Sequence, residues 1–230
     1  MKLAGNQPYF LPYIGYFQLI KAVDLFVIAD NLHYIQQGWI NRNHLLLEGR
    51  SYRFNLFLSG ASSNKNINEI TVADDQSKLL KTIEMNYKKA PFFHTVFPLI
   101  KSIFCHEDKN LARYIGNSLI QIAGYLLLDT KFIYQSEILE VDTELKAQNK
   151  VINLCSVLGA TELINAVGGM ELYDKETFKK NGIDLYFLKS KPIEYKQYNN
   201  PFVPNLSILD ILMFNSVEET NKLLEQYELI

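Results

Sequence analysis

Cysteine is scarce in this chain. Its two thiols, Cys105 and Cys155, stand alone among 230 residues, with no Cys-x-x-Cys pair and no histidine at ligand spacing. That argues against a disulfide framework or a structural zinc site. Both are expected to be buried as small hydrophobes. Long apolar runs are missing too. No stretch approaches the ~20 residues that span a bilayer. The N-terminus lacks the charged start, long apolar middle and small-residue cleavage site of a signal peptide, so a cytoplasmic location and no membrane span are expected. Charge of neither sign dominates: 23 Lys and Arg face 25 Asp and Glu, for a net charge of -2. Without a clustered basic footprint, nucleic acid is not an expected partner. Standard catalytic signatures are also missing: the sequence contains no GxSxG, HExxH, Walker A or paired-carboxylate motif. The cofactor therefore stays unassigned, no metal ligand is named, and self-association is left open.

What is present is an ordinary globular composition, 48% hydrophobic and 21% charged, in a chain long enough for one domain with a large core. Aromatics make up 13%, and many of the 14 Tyr and 14 Phe fall in loop-like segments. A tyrosine there offers a flat apolar face with a polar tip, which suits sugar rings and bases, and protein partners as well.

The most informative stretch is the first forty-odd residues. Asn6-Gln7-Pro8-Tyr9-Phe10-Leu11-Pro12-Tyr13 follows a short apolar strand, 2–6, and precedes a helix, 14–22, and a second strand, 24–29. Pro8 and Pro12 fix φ and keep the residues before them extended, so this aromatic loop is stiff in advance of any ligand. Strand, helix, strand implies a parallel pair. In such units ligands bind at the carboxyl ends of the strands. Gln7, Tyr9, Tyr13, Asp30 and His33 are thereby placed around one cleft, with Trp39, Asn41, Arg42 and Asn43 from the following polar loop.

Further along, 44–48 and 51–58 flank Gly49-Arg50 as a hairpin. Residues 59–68 are small and polar, which reads either as a plain solvated surface loop or as a lid. An α-rich segment at about 74–125 follows. It starts with a helix carrying Leu79, Ile83 and Tyr87, continues with one that Pro98 should bend or interrupt, and ends with one whose Leu111, Ile115, Leu119 and Ile122 share a face. A strand at 131–134 comes next. A helix at 143–158 then buries Val151, Leu154, Cys155 and Leu158, and its polar stripe of Lys146, Asn149, Lys150 and Asn153 reads either as a solvated face or as one that looks into the cleft. A strand at 161–166 ends in Val167-Gly168-Gly169, followed by a helix through 181. The glycine pair reads either as a tight turn or as a place where backbone amides approach an anion. After a strand at 183–188 and a second aromatic, amide-rich loop at 195–202, Ser207 caps a helix with Asp210 in its first turn. Asp210 is either a capping carboxylate or a site residue. A helix at 217–227 closes the chain. The expected fold is α/β: a mixed, mostly parallel sheet flanked by helices, in one domain over 1–230.

Among the candidate residues, His33 reads either as the natural general base, because an unperturbed imidazole titrates near neutrality and Asp30 could orient it, or as a hydrogen-bonded structural residue. Asn41, Arg42 and Asn43 suit a phosphate, carboxylate or carbonyl, Arg42 by paired hydrogen bonds. Trp39 is either a sugar platform or an anchor for its loop.

These motifs carry a resemblance. Gln7-Pro8, Leu11-Pro12-Tyr13-x-Gly15-Tyr16-Phe17, Asp30, Trp39-x-Asn41-Arg42-Asn43, Leu158-Gly159-Ala160, Gly168-Gly169 and Phe202-x-Pro204-x-Leu206-Ser207-Ile208-Leu209-Asp210 together resemble the WbqC-like family of bacterial proteins, which are often encoded among O-antigen and other surface-polysaccharide genes. The resemblance implies a glycine or other acyl transferase acting on an amino sugar or nucleotide sugar. The alternative is a non-catalytic carbohydrate or nucleotide-sugar binding protein of a biosynthetic assembly. It also implies a role for Lys150, where members carry a basic residue. Resembling sequences often show His where this chain has Asn6, an amide where it has His33, and a more polar residue at Met170.

Overall fold

The computed structural model of the chain describes residues 1–142, 145, 147–199 and 201–230. Thr143, expected to open a helix, Lys146 of the polar stripe and Asn200 of the second aromatic loop lie outside the described residues.

The first unit runs β1 (Lys2–Asn6), α1 (Ile14–Lys21), β2 (Leu25–Ile28). The proline-braced segment between β1 and α1 is held from several sides. The phenol of Tyr16 donates to the carbonyl of Gln7 at 2.8 Å. The Asn43 amide and the Ser207 hydroxyl both donate to the carbonyl of Leu11, at 2.9 and 2.7 Å. Leu11 itself adopts φ of 44°, a costly conformation for a branched side chain that these bonds over-determine.

A hairpin follows, β3 (Arg42–Leu47) and β4 (Arg50–Asn55). Leu47 pairs with Arg50, so the turn is Glu48-Gly49 and not Gly49-Arg50. Both turn residues have positive φ, which matches the right-handed twist of the flanking strands. The segment expected to be a plain surface loop is tied down. It enters β5 (Leu58–Ser59), which pairs with β6 (Thr71–Val72), and its Lys65 carbonyl and Ile67 amide bond the chain at Tyr34 and Leu32.

Three helices follow: α2 (Ser77–Tyr87), α3 (Phe93–Phe104) and α4 (Leu111–Tyr125). Leu79, Ile83, Tyr87, Leu111, Ile115, Leu119 and Ile122 are all buried, as their spacing requires. Pro98 does not interrupt α3. It lies on the solvent face with His94, so the helix bond it cannot donate falls on the exposed side. Cys105 is exposed rather than buried, because α3 ends at Phe104 and the thiol falls on its C-cap. Cys155 is buried, and desolvation pushes its thiol up to about 12.

The last part runs β7 (Lys131–Tyr134), α5 (Ala147–Val157), β8 (Glu162–Ala166), α6 (Lys175–Lys180), β9 (Asp184–Ser190), α7 (Ile208–Phe214), α8 (Val217–Leu224) and β10 (Tyr227–Leu229). Two expected elements differ. The helix after the glycine pair is split into a 3-10 segment, Val167–Leu172, and α6, because Asp174 breaks out to cap α6 by accepting from the Thr177 amide. The closing helix stops at Leu224, and the chain returns as β10, antiparallel to β9.

The sheet order is β10-β9-β8-β1-β2-β7, parallel except for β10. Side chains alternate across it. Leu3, Val27, Leu163 and Leu185 face a core with α5 and α6, while Ala4, Phe26, Ile28 and Ile164 face the larger core built with α1 and the helical segment. Among the described residues no helix is long and apolar enough to cross a membrane.

Candidate functional site

From β1 the chain winds to β2 and β7 on one side, whereas β8, β9 and β10 lie on the other. The strand order therefore reverses between β1 and β8. In open α/β sheets this reversal opens a crevice at the carboxyl ends of the strands. Here the pairing between β1 and β8 is registered at Lys2 with Glu162 and Leu3 with Leu163, while β1 stays paired to β2 through Asn6 and β8 to β9 through Ala166. The two central strands part toward their carboxyl ends.

Two cavities of about 560 Å³ each occupy that edge, one on either face of the sheet, and they share Asn6, Tyr9 and Ala166. The first is floored by Gly5 and walled by Gln7, Lys150, Asn165, the Gly168-Gly169 pair and Tyr173. Gly5 carries no side chain on the face where Leu3 points, which leaves the floor open. Lys150 comes from α5, is half-buried, and has no hydrogen-bond or ion-pair partner among the described residues. Asn165 turns its side-chain oxygen onto the amide of Ala166 at 2.8 Å, and its amide nitrogen faces Gly169 and Tyr173. Asn6 makes the same turn onto Gln7. The two parting strands thus end in matching asparagines.

The second cavity is mostly apolar and aromatic, with Tyr9, Pro12, Tyr13, Tyr16, Trp39 and Leu188 among its walls. The ring of Tyr13 lies over Gly15, where any side chain would collide with it, and its hydroxyl bonds Ser190 at 2.8 Å. Burial pushes the phenols of Tyr9 and Tyr16 above their ordinary value. Both stay protonated at neutral pH, and Tyr16 spends its proton on the Gln7 carbonyl.

Of the residues expected around one cleft, Gln7, Tyr9, Lys150, Gly168 and Gly169 meet in the first cavity, and Tyr9, Tyr13, Trp39 and Asn43 in the second. Asn43 is buried and spends its amide on the Leu11 carbonyl and its oxygen on the His44 amide, so it shapes the wall rather than offering a free donor. Asn41 braces Tyr34 and Leu56. Arg42 lines neither cavity and lies with its guanidinium 5.9 Å from the Trp39 ring centre, at the outer rim.

Asp30, His33 and Asp210 line neither cavity, although Ala29, Leu32 and Gln135 beside Asp30 and its Ser136 partner line the first. Asp30 is buried, and its carboxylate accepts from the Ser136 amide and hydroxyl at 2.9 and 2.6 Å and from Asn68 at 3.4 Å. It ties β2 to the turn after β7. His33 is exposed, its backbone bridges to Asn66, and no hydrogen bond joins it to Asp30 among the described residues. Asp210 is fully buried and accepts from Tyr87, Tyr195 and Gln197. Desolvation raises its carboxyl above the ordinary value against the pull of those donors. Sequence reasoning did not single out Asn6, Asn165 or Tyr173 as site residues. The signal available was an asparagine closing each of two apolar strands.

Parallel strands with helices on both faces, and a cavity pair where the strand order reverses, define a doubly wound α/β protein with a crevice at the carboxyl edge. The sequence model of the WbqC-like protein family matches residues 7–222, and the chain belongs to that family. It is also similar to the uncharacterized protein Rv1507c of Mycobacterium tuberculosis, with 27% identity over 218 residues that cover 92% of each chain.

Proposed function

We propose that the chain is a transferase of surface-polysaccharide assembly, of the O-antigen kind, that moves glycine or another acyl group onto an amino sugar or nucleotide sugar in the crevice between β1 and β8. The observation that carries this reading is the pair of cavities that share Asn6, Tyr9 and Ala166 as common walls. A transferase must hold two reactants with their reacting atoms in contact, and juxtaposition by itself removes a large part of such a barrier.

In this reading the acceptor lies against the aromatic walls, and the acyl donor enters the cavity with Lys150 and the glycine pair. Lys150 holds the donor's anionic group, and the open backbone at Gly168 and Gly169 lets that group approach closely. The acceptor nitrogen attacks the acyl carbon, a C–N bond forms, the bond to the leaving group breaks, and the nitrogen's proton leaves to the departing group through solvent. Tyr9, a protonated phenol at the junction, donates to the oxyanion that develops on the acyl oxygen. His33 and Asp30 take no part.

The test incubates the purified chain with an amino-sugar nucleotide and an activated glycyl donor, with mass spectrometry of the sugar. A glycylated product that disappears in Lys150→Ala, with the fold intact, supports the transferase. Binding of the sugar nucleotide without product under varied donors favours the non-catalytic sugar-nucleotide binding protein instead.

A further inference from the structure

The chain has four arginines, Arg42, Arg50, Arg53 and Arg113, and three of them fall in one short hairpin although 19 lysines are spread along the sequence. Arginine is the residue that grips phosphate oxygens in pairs, so this concentration is chemically specific in a way that a lysine-rich surface is not. Two of the three share one face of the hairpin. His44 of β3 stands directly opposite Arg53 of β4, and Arg42 is two residues from His44 on the same face. Residues directly opposite and two apart on antiparallel strands share one side of the hairpin. Like charges in such positions repel. Neither Arg42 nor Arg53 has a carboxylate within ion-pair distance among the described residues. The imidazole records the resulting field: partial burial first, then Arg53 and Arg42, hold His44 below its ordinary pKa.

This cluster adjoins the aromatic cavity through a single ring. Trp39, half exposed and part of the cavity wall, meets the His44 imidazole edge to face at 5.7 Å and lies beneath the Arg42 guanidinium at 5.9 Å. A mostly apolar chamber thus adjoins, through one indole, two guanidiniums and an imidazole with no carboxylate at ion-pair distance among the described residues.

We propose that the outer face of the β3–β4 hairpin is a diphosphate site, in which Arg42, His44 and Arg53 hold the diphosphate of an ester whose organic part passes over Trp39 into the aromatic cavity. This rests on the reading of that cavity as the acceptor's compartment and names the chemical class of the acceptor. Two kinds of ester share the chemistry, a nucleoside diphosphate and an isoprenyl diphosphate.

The experiment follows the His44 ring protons by NMR across pH on the full chain, alone and with inorganic pyrophosphate, uridine diphosphate or farnesyl diphosphate. An anion between the two arginines favours the imidazolium, so the His44 midpoint moves up. At least one ester is expected to bind about tenfold or more tightly than pyrophosphate, and Arg53→Ala to weaken it about tenfold, the scale of one charge-assisted hydrogen bond. Tighter binding of the uridine ester assigns the cavity to a base, and of the farnesyl ester to an isoprenyl chain. Arg53 is exposed, and Arg53→Gln preserves the strand should the alanine variant misfold. A midpoint that none of the three anions moves overturns the site. So does a midpoint that pyrophosphate moves as well as either ester, which marks an adventitious ion only. Because no turnover is read, a chain that binds the ester yet yields no glycylated sugar fails as a transferase while keeping this site.

Discussion

Tyr87 and Asp210 are 123 positions apart, and the phenol of the first donates to the carboxylate of the second at 2.8 Å inside the core. Tyr87 also accepts from the Leu46 amide at 2.9 Å, so one buried relay joins the hairpin, α2 and α7. Tyr195 and Gln197 complete the carboxylate's shell at 2.6 and 2.7 Å. The carboxylate lies in neither cavity and holds their scaffold together. Asp210→Asn puts an amide group where only acceptors are satisfied, and should cost about 2–4 kcal/mol of folding stability as donors go unpaired. Urea unfolding of the variant checks it, and a loss below about 0.5 kcal/mol contradicts it.

The pH dependence of Asp210 has a definite sign. Its carboxyl is raised in the folded chain, so the folded state holds that proton more tightly than the unfolded one. Its contribution is fully present below the ordinary carboxyl pKa and is lost as pH rises through the folded value. The stability of the Asp210→Leu variant, measured from about pH 4 upward, should lose that part of the slope.

His44 titrates in the opposite sense. Its pKa is lowered, so its contribution to stability is present above the unfolded imidazole value of about 6.5 and is lost as pH falls through the lower folded value. Replacing Arg53 with alanine removes one of the repelling charges and should raise the His44 midpoint. NMR titration of the two chains reads this, and an unchanged midpoint shows that Arg53 does not act on it.

Gly116 of α4 faces the Tyr134 hydroxyl so closely that a methyl group there would overlap the ring, and Arg113 stacks on that ring at 3.9 Å. The tyrosine is poorly placed to yield. Gly116→Ala should therefore destabilise the chain by about 1–3 kcal/mol in spite of alanine's better helix propensity. Thermal unfolding decides, and a stabilised variant contradicts it.

Gly5 presents the reverse case. A Cβ there would meet Val27 at ordinary contact distances of 3.4 Å, and the position belongs to a central strand. Gly5→Val should fold with unchanged or higher stability, since a β-branched residue suits a strand. Its side chain fills the floor of the Lys150 cavity, so ligand affinity there should fall at least tenfold by calorimetry.

How much of this was legible in the sequence depended on the range of the signal. The first strand, helix and second strand follow from local apolar pattern and two prolines, and so does the gathering of Gln7 and Tyr9 at the sheet's carboxyl edge. Lys150 in a cavity rested on a helical stripe that fitted a solvated face better. The partners of Asp30 and Asp210 were hidden, because Ser136, Tyr87 and Tyr195 have no local reason to meet them. The basic face of the hairpin was hidden for another reason. Placing the turn one residue late, at Gly49-Arg50, shifts the pairing, and the opposition of His44 and Arg53 exists only in the register that Glu48-Gly49 sets. The last strand, three residues long at a sheet edge, carries too little pattern to be seen apart from the helix before it.

The central claim is that the parting of β1 and β8 holds the substrates. Its most direct test is amide chemical-shift mapping of the full chain titrated with the activated glycyl donor. The account predicts that the perturbed amides cluster at Asn6, Gln7, Ala166 to Gly169 and Lys150, and that Lys150→Ala weakens the response. Saturable binding whose shifts leave those positions untouched would contradict it.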